Sequence, residues 1–219
     1  WANQPNKGNN FLTPFAVPYN LEHEEGDYED PSYGVRWSSS LFDNQIEYTL
    51  SYLHSFYQDP VVNPNPATLA AMGVPGSQFY KEAPKGLLGD LIFKEVDLVG
   101  LTLNHYVAFF DIMTRCEIAY MWDAPYNYGQ NFGGGTLPGF AGIIEKDTVR
   151  IAASFDRDVD FVKPLLGSYR PGFLTVQIFD TWILDYDEDE ELVFNVGFGK
   201  EREEHEVVGT IVLSWYYDY

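Results

Sequence analysis

Apolar and polar side chains alternate with a period of two along most of the chain. The clearest run sets Ile46, Tyr48, Leu50, Tyr52, His54 and Phe56 against Glu47, Thr49, Ser51 and Ser55. A second sets Cys116, Ile118, Tyr120 and Trp122 against Arg115, Glu117 and Ala119. A third sets Val149, Ile151, Ala153 and Phe155 against Thr148, Arg150, Ala152 and Ser154. Leu174, Val176, Ile178, Trp182 and Leu184 stand opposite Thr175, Gln177 and Thr181. The last run is Val207, Gly209, Ile211, Leu213, Trp215, Tyr217 and Tyr219, opposite Thr210 and Ser214. Successive side chains of a strand point to opposite faces, so each run predicts a strand between two different environments. With weaker runs at 33–42, 92–108 and 191–200, the pattern predicts about eight strands, many of about ten residues, longer than the usual five or six.

One segment reads as helix. Asn65 is a good N-cap, Pro66 suits the first helical position, and Gly73 follows Ala67-Thr68-Leu69-Ala70-Ala71-Met72 as a stop. This short helix sits inside a Pro- and Gly-rich connection, 59–91. Residues 1–32 are predicted to be a loop segment before the first complete strand, and 33–219 to hold the strands, with long loops at 59–91 and 127–144. Connections alternate between short (Asp43-Asn44, then 109–113) and long (59–91, then 127–144), and are then middling (158–171 and 185–190) and short again (201–205). Outer-membrane barrels have this arrangement, with short periplasmic turns and long extracellular loops.

Composition narrows the choice. The chain has 33 acidic and 13 basic residues and a net charge of −20, which excludes a nucleic-acid binder that must displace counterions from phosphates. It equally excludes a peripheral protein held on anionic lipid by Lys and Arg. The lone Cys116 leaves no internal disulfide framework and no cysteine-rich zinc site. No stretch reaches the roughly 18 apolar residues of a spanning helix. A β-barrel crosses with strands and is untouched by that argument.

Alternation alone fits a soluble sandwich as well as a membrane barrel. Three features favour the barrel: strand length, Trp and Tyr near strand ends (Trp37, Tyr120, Trp122, Trp182, Tyr186, Trp215, Tyr217, Tyr219), and polar faces of Ser, Thr, Gln and Gly with both charge signs. The expected fold is therefore an all-β, antiparallel transmembrane β-barrel, or an about eight-strand portion of a larger one, with long extracellular loops. The alternative is a soluble secreted or periplasmic all-β binding domain for a carbohydrate or hydrophobic ligand.

The stretch from Glu145 to Arg157 (EKDTVRIAASFDR) resembles a recurrent strand of a large uncharacterised family of Gram-negative, porin-like outer-membrane proteins. Phe173 to Tyr186, Arg115 to Tyr120 with Asp123-Ala124-Pro125-Tyr126-Asn127, and Tyr52 to Pro60 are similar to others of its strand and loop elements. Members are longer than this chain and are often associated with exporters of hydrophobic compounds. The resemblance implies a pore or transport component of the bacterial outer membrane and brings no catalytic residues. Its partners would be outer-membrane lipid and lipopolysaccharide, with barrel neighbours or an export system beyond them. With eight strands and extracellular long loops, the strand at 206–219 would run outward. Both ends of the chain would then lie on the extracellular side, as in an internal portion of a larger barrel.

Candidate chemistry is sparse, and no enzyme motif or cofactor is expected. The acidic run 185–191 invites a calcium reading through Asp185, Asp187 and Asp189, but it lacks the Gly and spacing of an EF-hand. A solvated, self-repelling loop is the plainer expectation. His23, His54, His105 and His205 are scattered, so no metal site is expected. Glu47, Arg115, Glu117 and Arg150 lie opposite apolar positions and would face a barrel lumen. There they would either pair with one another or set ion selectivity.

Overall fold

In a computed structural model, the described residues are 10–12, 18–21, 31–43, 45–57, 59–74, 76–129, 139–167, 170–193 and 201–215. The first described strands are short, β1 (Asn10–Leu12) and β2 (Pro18–Leu21), paired antiparallel within the segment expected to be loop. Then follow β3 (Tyr33–Leu41), β4 (Ile46–Phe56), β5 (Val61–Pro64), helix α1 (Pro66–Ala71) and β6 (Gly89–Ile92). The chain continues through β7 (Glu95–Val107), β8 (Ile112–Tyr128), β9 (Gly142–Val159), helix α2 (Val162–Leu166), β10 (Gly172–Ile183) and β11 (His205–Ser214). No helix among the described residues is long and apolar enough to cross a membrane.

The strands form two sheets. Seven make an antiparallel meander in the order β11-β10-β9-β8-β7-β4-β3. The other four make a small sheet, β1-β2-β6-β5, in which β2 and β6 run parallel. The all-β, antiparallel expectation therefore holds. Among the described residues barrel closure is not seen: β3 and β11 end the large sheet and do not pair with each other. The large sheet has seven strands where eight were expected, because 191–200 supplies none among the described residues. Val193 makes only isolated bridges to Asn127 and Glu201, and 194–200 lie outside the described residues. The count changes a direction. β11 starts beside Trp182 at the long-loop end and finishes at Ser214 beside Phe173, at the short-turn end. The expected outward course of the last strand is reversed over 205–214; residues 216–219 lie outside the described residues.

Connections fall on two sides of the sheet. Residues 42–45, 108–111 and 160–171 join strands at one end, and 57–94, 129–141 and 184–204 at the other. The segment 59–91, expected as loop with one helix, also carries β5 and most of β6. Asn65 caps α1 as its side chain predicts, accepting from the Ala67 and Thr68 amides at 3.2 and 3.4 Å. Gly73, with φ of 83°, takes the left-handed position beyond the helix end.

Register sorts the large sheet into two faces. Val35, Trp37, Leu50, Leu101, Ile118, Ile151, Ile178 and Ile211 share the apolar one. Arg36, Ser38, Thr49, Thr102, Glu117, Ser154, Gln177 and Thr210 share the polar one. Among the described residues no second layer covers the apolar rows: Val35 is 70% exposed, Leu50 44% and Ile211 75%. Ile46, Tyr48 and Tyr52 are only half-buried. The polar face, by contrast, is covered at its long-loop end. There Tyr57, Val96, Met121, Ala124, Tyr126, Ile183 and Leu192 form a buried apolar cluster.

A β-bulge organises this end. The β8–β9 register shifts between Met121 and Ala124, and Asp123 adopts a φ of 51°. Beyond the bulge, 124–128 and 142–146 are one another's only strand partners, apart from the isolated Asn127–Val193 bridge, and form a ribbon projecting past the sheet. The Tyr126 hydroxyl and Thr148 Oγ1 lie 2.8 Å apart within the cluster. On the ribbon's other side Asn127, buried, grips β5: Oδ1 accepts from Val62 N at 3.0 Å, and Nδ2 donates to Val62 O at 2.7 Å and Gly142 O at 3.1 Å. A second apolar cluster, Val62, Leu69, Val74, Phe140 and Ala141, seats α1 on this cap.

Candidate functional site

The polar face is the feature with chemistry on it. One row crosses all seven strands as Ser40, Glu47, Asn104, Arg115, Ser154, Gln177 and Thr210, with no apolar member. Strand alternation puts each of these opposite apolar neighbours in sequence, and antiparallel pairing lines them up side by side. Glu117 lies in the next row toward the long-loop end and Arg150 in the row beyond it. All four sequence-predicted lumenal residues, Glu47, Arg115, Glu117 and Arg150, thus share one face within three neighbouring rows.

They do not pair with one another among the described interactions. Arg115 Nη2 lies 3.1 Å from Oδ2 of Asp156, a buried carboxylate that also accepts from Thr175 Oγ1 at 2.8 Å. Arg115 is half-exposed, so the pair counts more for orientation than for stability. Glu47 flanks Arg115 across Asn104, roughly 10 Å away at the usual strand spacing. Arg150 Nη2 donates to the Tyr57 hydroxyl at 2.8 Å, and its guanidinium stands 5.7 Å from that ring's centroid. Beside it is a recess of about 210 Å³ between Leu53, Asp59, Leu98, Met121 and Arg150. Asp156 escaped the sequence reading, although it continues the alternation Thr148, Arg150, Ala152, Ser154 by one more step.

The candidate calcium residues do not converge. No group of three or more His, Cys, Asp or Glu among the described residues is placed to hold a metal. Asp187 instead caps a 3-10 turn at Glu188–Glu190, accepting from Asp189 N at 3.0 Å. Asp185 sits at a φ of 52°. A protein cation serves the run: Lys146 Nζ donates to the Asp185 carbonyl at 2.8 Å and lies 2.7 Å from Glu190 Oε2. Burial, then the carboxylates of Glu201 and Glu188, push the nearby Tyr186 hydroxyl up, so it remains a donor to Arg202 O at 2.7 Å.

The sequence marks Tyr120, Trp122 and Trp182 as strand-end aromatics but not the clusters they and others form at the long-loop end of the apolar face. His54 Nδ1 and the Tyr52 hydroxyl share Asp97 Oδ1 at 2.8 and 2.6 Å, and Tyr33 stacks on His54. Tyr120 bonds Asp147 and meets Trp122 edge-on. Trp182 stacks on His205, which lies 3.1 Å from Asp180. Each cluster joins neighbours across strands, which a scan along the chain does not reveal. His105 lies elsewhere, bonded to Gln45 O at 2.9 Å; His23 is outside the described residues.

In the cap, Lys94 is bonded to Glu145 and, at 2.7 Å, to the Tyr80 hydroxyl; Tyr80 also donates to Glu145 at 2.6 Å. Burial alone would lower the Lys94 pKa; its bonds to Glu145 and Tyr80 outweigh that and hold it above the ordinary value. Burial alone would raise Glu145, and the bonds from Lys94 and Tyr80 hold its carboxyl below the ordinary range. Glu145 belongs to the projecting ribbon.

The chain matches no protein-family model, no curated protein and no solved structure.

Proposed function

We propose that the chain forms wall of a porin-like β-barrel in the bacterial outer membrane, acting as a passive pore or outer-membrane transport component without catalytic activity. One observation carries the reading: a seven-residue polar row on one face lies behind uncovered apolar rows on the other. A hydrated lumen accounts for the first and lipid for the second. The span fits. From Asp97 to Val107, at about 3.4 Å per residue and a tilt of about 40°, the rise is roughly 26 Å against an apolar band of about 25 Å. The Tyr, Trp and His clusters at the long-loop end then stand where an interfacial girdle belongs, near lipopolysaccharide. The crossing part of β9 is 148–159, and the ribbon and cap lie outside it.

The soluble alternative requires the apolar rows to pack against another layer, and among the described residues the small sheet does not lie over them: Val35 and Ile211 stay 70% and 75% exposed. Barrel neighbours or an export system are the partners this reading implies. Extraction and bilayer recording test it. The protein should partition with membranes, need detergent, and give ion-conducting steps whose selectivity changes with Arg150→Gln. Recovery as a water-soluble monomer without detergent overturns the reading.

A further inference from the structure

We infer that both edges of the seven-strand sheet are pairing sites for strands from outside it, each running from the short-turn side to the long-loop side. The inference rests on the membrane reading above. β3 and β11 are strands of nine and ten residues whose outer edges no described strand occupies. In lipid every backbone N–H and C=O must be satisfied, so such edges cannot stand open.

Direction decides what fits. The meander is antiparallel throughout and has an odd number of strands, so its two end strands run the same way. Tyr33 of β3 and His205 of β11 both begin at the long-loop end, and Leu41 and Ser214 both finish at the short-turn end. Closing β3 directly on β11 would make a parallel seam. A second copy inserted the same way up offers β3 or β11 again as the edges of its large sheet, and its seam is parallel too. A copy turned over would pair antiparallel, but its cap would then emerge on the opposite side of the membrane. What remains is an odd number of strands from elsewhere, bringing the barrel to the even count of antiparallel bacterial barrels.

The chemistry of the occupant follows from the face pattern. Its side chains beside Val35, Trp37, Val207 and Ile211 must be apolar. Beside Arg36 and Ser38, on the polar face, they must be small or hydrogen-bonding, with an acceptor facing the guanidinium.

The test uses the full chain in lipid nanodiscs, with Cys116→Ser as background. In one arm, Ser39→Cys is combined in turn with cysteine at 207, 209, 211 and 213, and disulfide yield is measured. No pair should cross-link within a chain, and Ser39→Cys should not link two chains. In the other arm, a synthetic twelve-residue strand of alternating Val and Thr, with cysteine at its C-terminal end, is offered to Tyr33→Cys or Leu41→Cys. Labelling at Tyr33→Cys should exceed that at Leu41→Cys at least tenfold, and should reverse when the peptide's cysteine is moved to its N-terminal end. An intrachain β3–β11 disulfide, a Ser39–Ser39 cross-link, preference for Leu41→Cys, or labelling at neither site overturns the inference while leaving the membrane reading standing. Failure of the chain to enter the nanodisc sinks that reading, and this inference with it.

Discussion

Lys146 and Glu190 form a largely shielded ion pair at 2.7 Å, with side chains 11% and 15% exposed. The same ammonium donates to the Asp185 carbonyl, so one lysine on the ribbon holds both ends of the 185–190 turn. An acidic run that suggests a metal loop in the sequence is organised by the protein's own cation. Removing one partner of a shielded pair leaves the other uncompensated. Lys146→Met is therefore expected to cost about 3 kcal/mol. Urea unfolding measures the loss, and hydrogen exchange should quicken first over 184–191.

Asn127 stands in for a strand neighbour of Val62. Truncation to alanine orphans the Val62 amide and carbonyl and weakens the hold on Gly142 O. Each buried group left unpaired costs about 1–3 kcal/mol, so a total near 3 kcal/mol is expected. Limited proteolysis should then cut within 57–94 well before the large sheet is attacked. Equal protection of both regions would mean that the grip is dispensable.

Arg115 is the one cation in the seven-residue polar row. Arg115→Gln leaves Glu47 in that row and deprives Asp156 of its partner, so the face becomes more acidic. The zero-current potential in a salt gradient should move toward cation preference, and Asp156→Asn should move it the opposite way. An unchanged potential in both variants would retire the row as a selectivity element.

The Lys94–Glu145–Tyr80 cluster makes the cap pH-dependent on its two flanks. Glu145 is held below its ordinary value, so its contribution is complete above about pH 5 and is lost as pH falls through the lowered value. Lys94 is held above its ordinary 10.5, so its contribution is complete below that pH and is lost as pH rises through the raised value. Cap protection, followed by hydrogen exchange at 80–94, should be level between the flanks and fall on the acid side. Glu145→Gln should remove that acid-side fall.

The strands at 46–56, 149–155 and 174–182 were legible because a two-sided strand writes its faces into the sequence. Asn65, Pro66 and Gly73 announced the helix for equally local reasons. The ribbon was hidden by its bulge. Ala124, Tyr126 and Tyr128 continue the even-numbered series of Cys116, Ile118, Tyr120 and Trp122, but the bulge turns them to the other face. The small sheet was unreadable because strands of three or four residues carry too little alternation. Leu192 and Val193 begin a run that reads as a strand. Leu192 is buried in the cap cluster, and Val193 only bridges Asn127 and Glu201. Within the site, the shared face of Glu47, Arg115, Glu117 and Arg150 followed from parity. The partners Asp156 and Tyr57 depend on register and a strand end, which one-dimensional reading does not supply.

Among the described residues nothing covers the apolar face of the large sheet, and that relocates the origin of its folding free energy. Little of that face's apolar surface is removed from water by contacts among the described residues. Hydrogen bonds and side-chain rows specify which strand pairs with which, but the drive to assemble them must come from the surroundings. For such a molecule the solvent is a structural component: a substitution at Leu50 or Ile211 alters how the sheet fits its medium before it alters any internal contact.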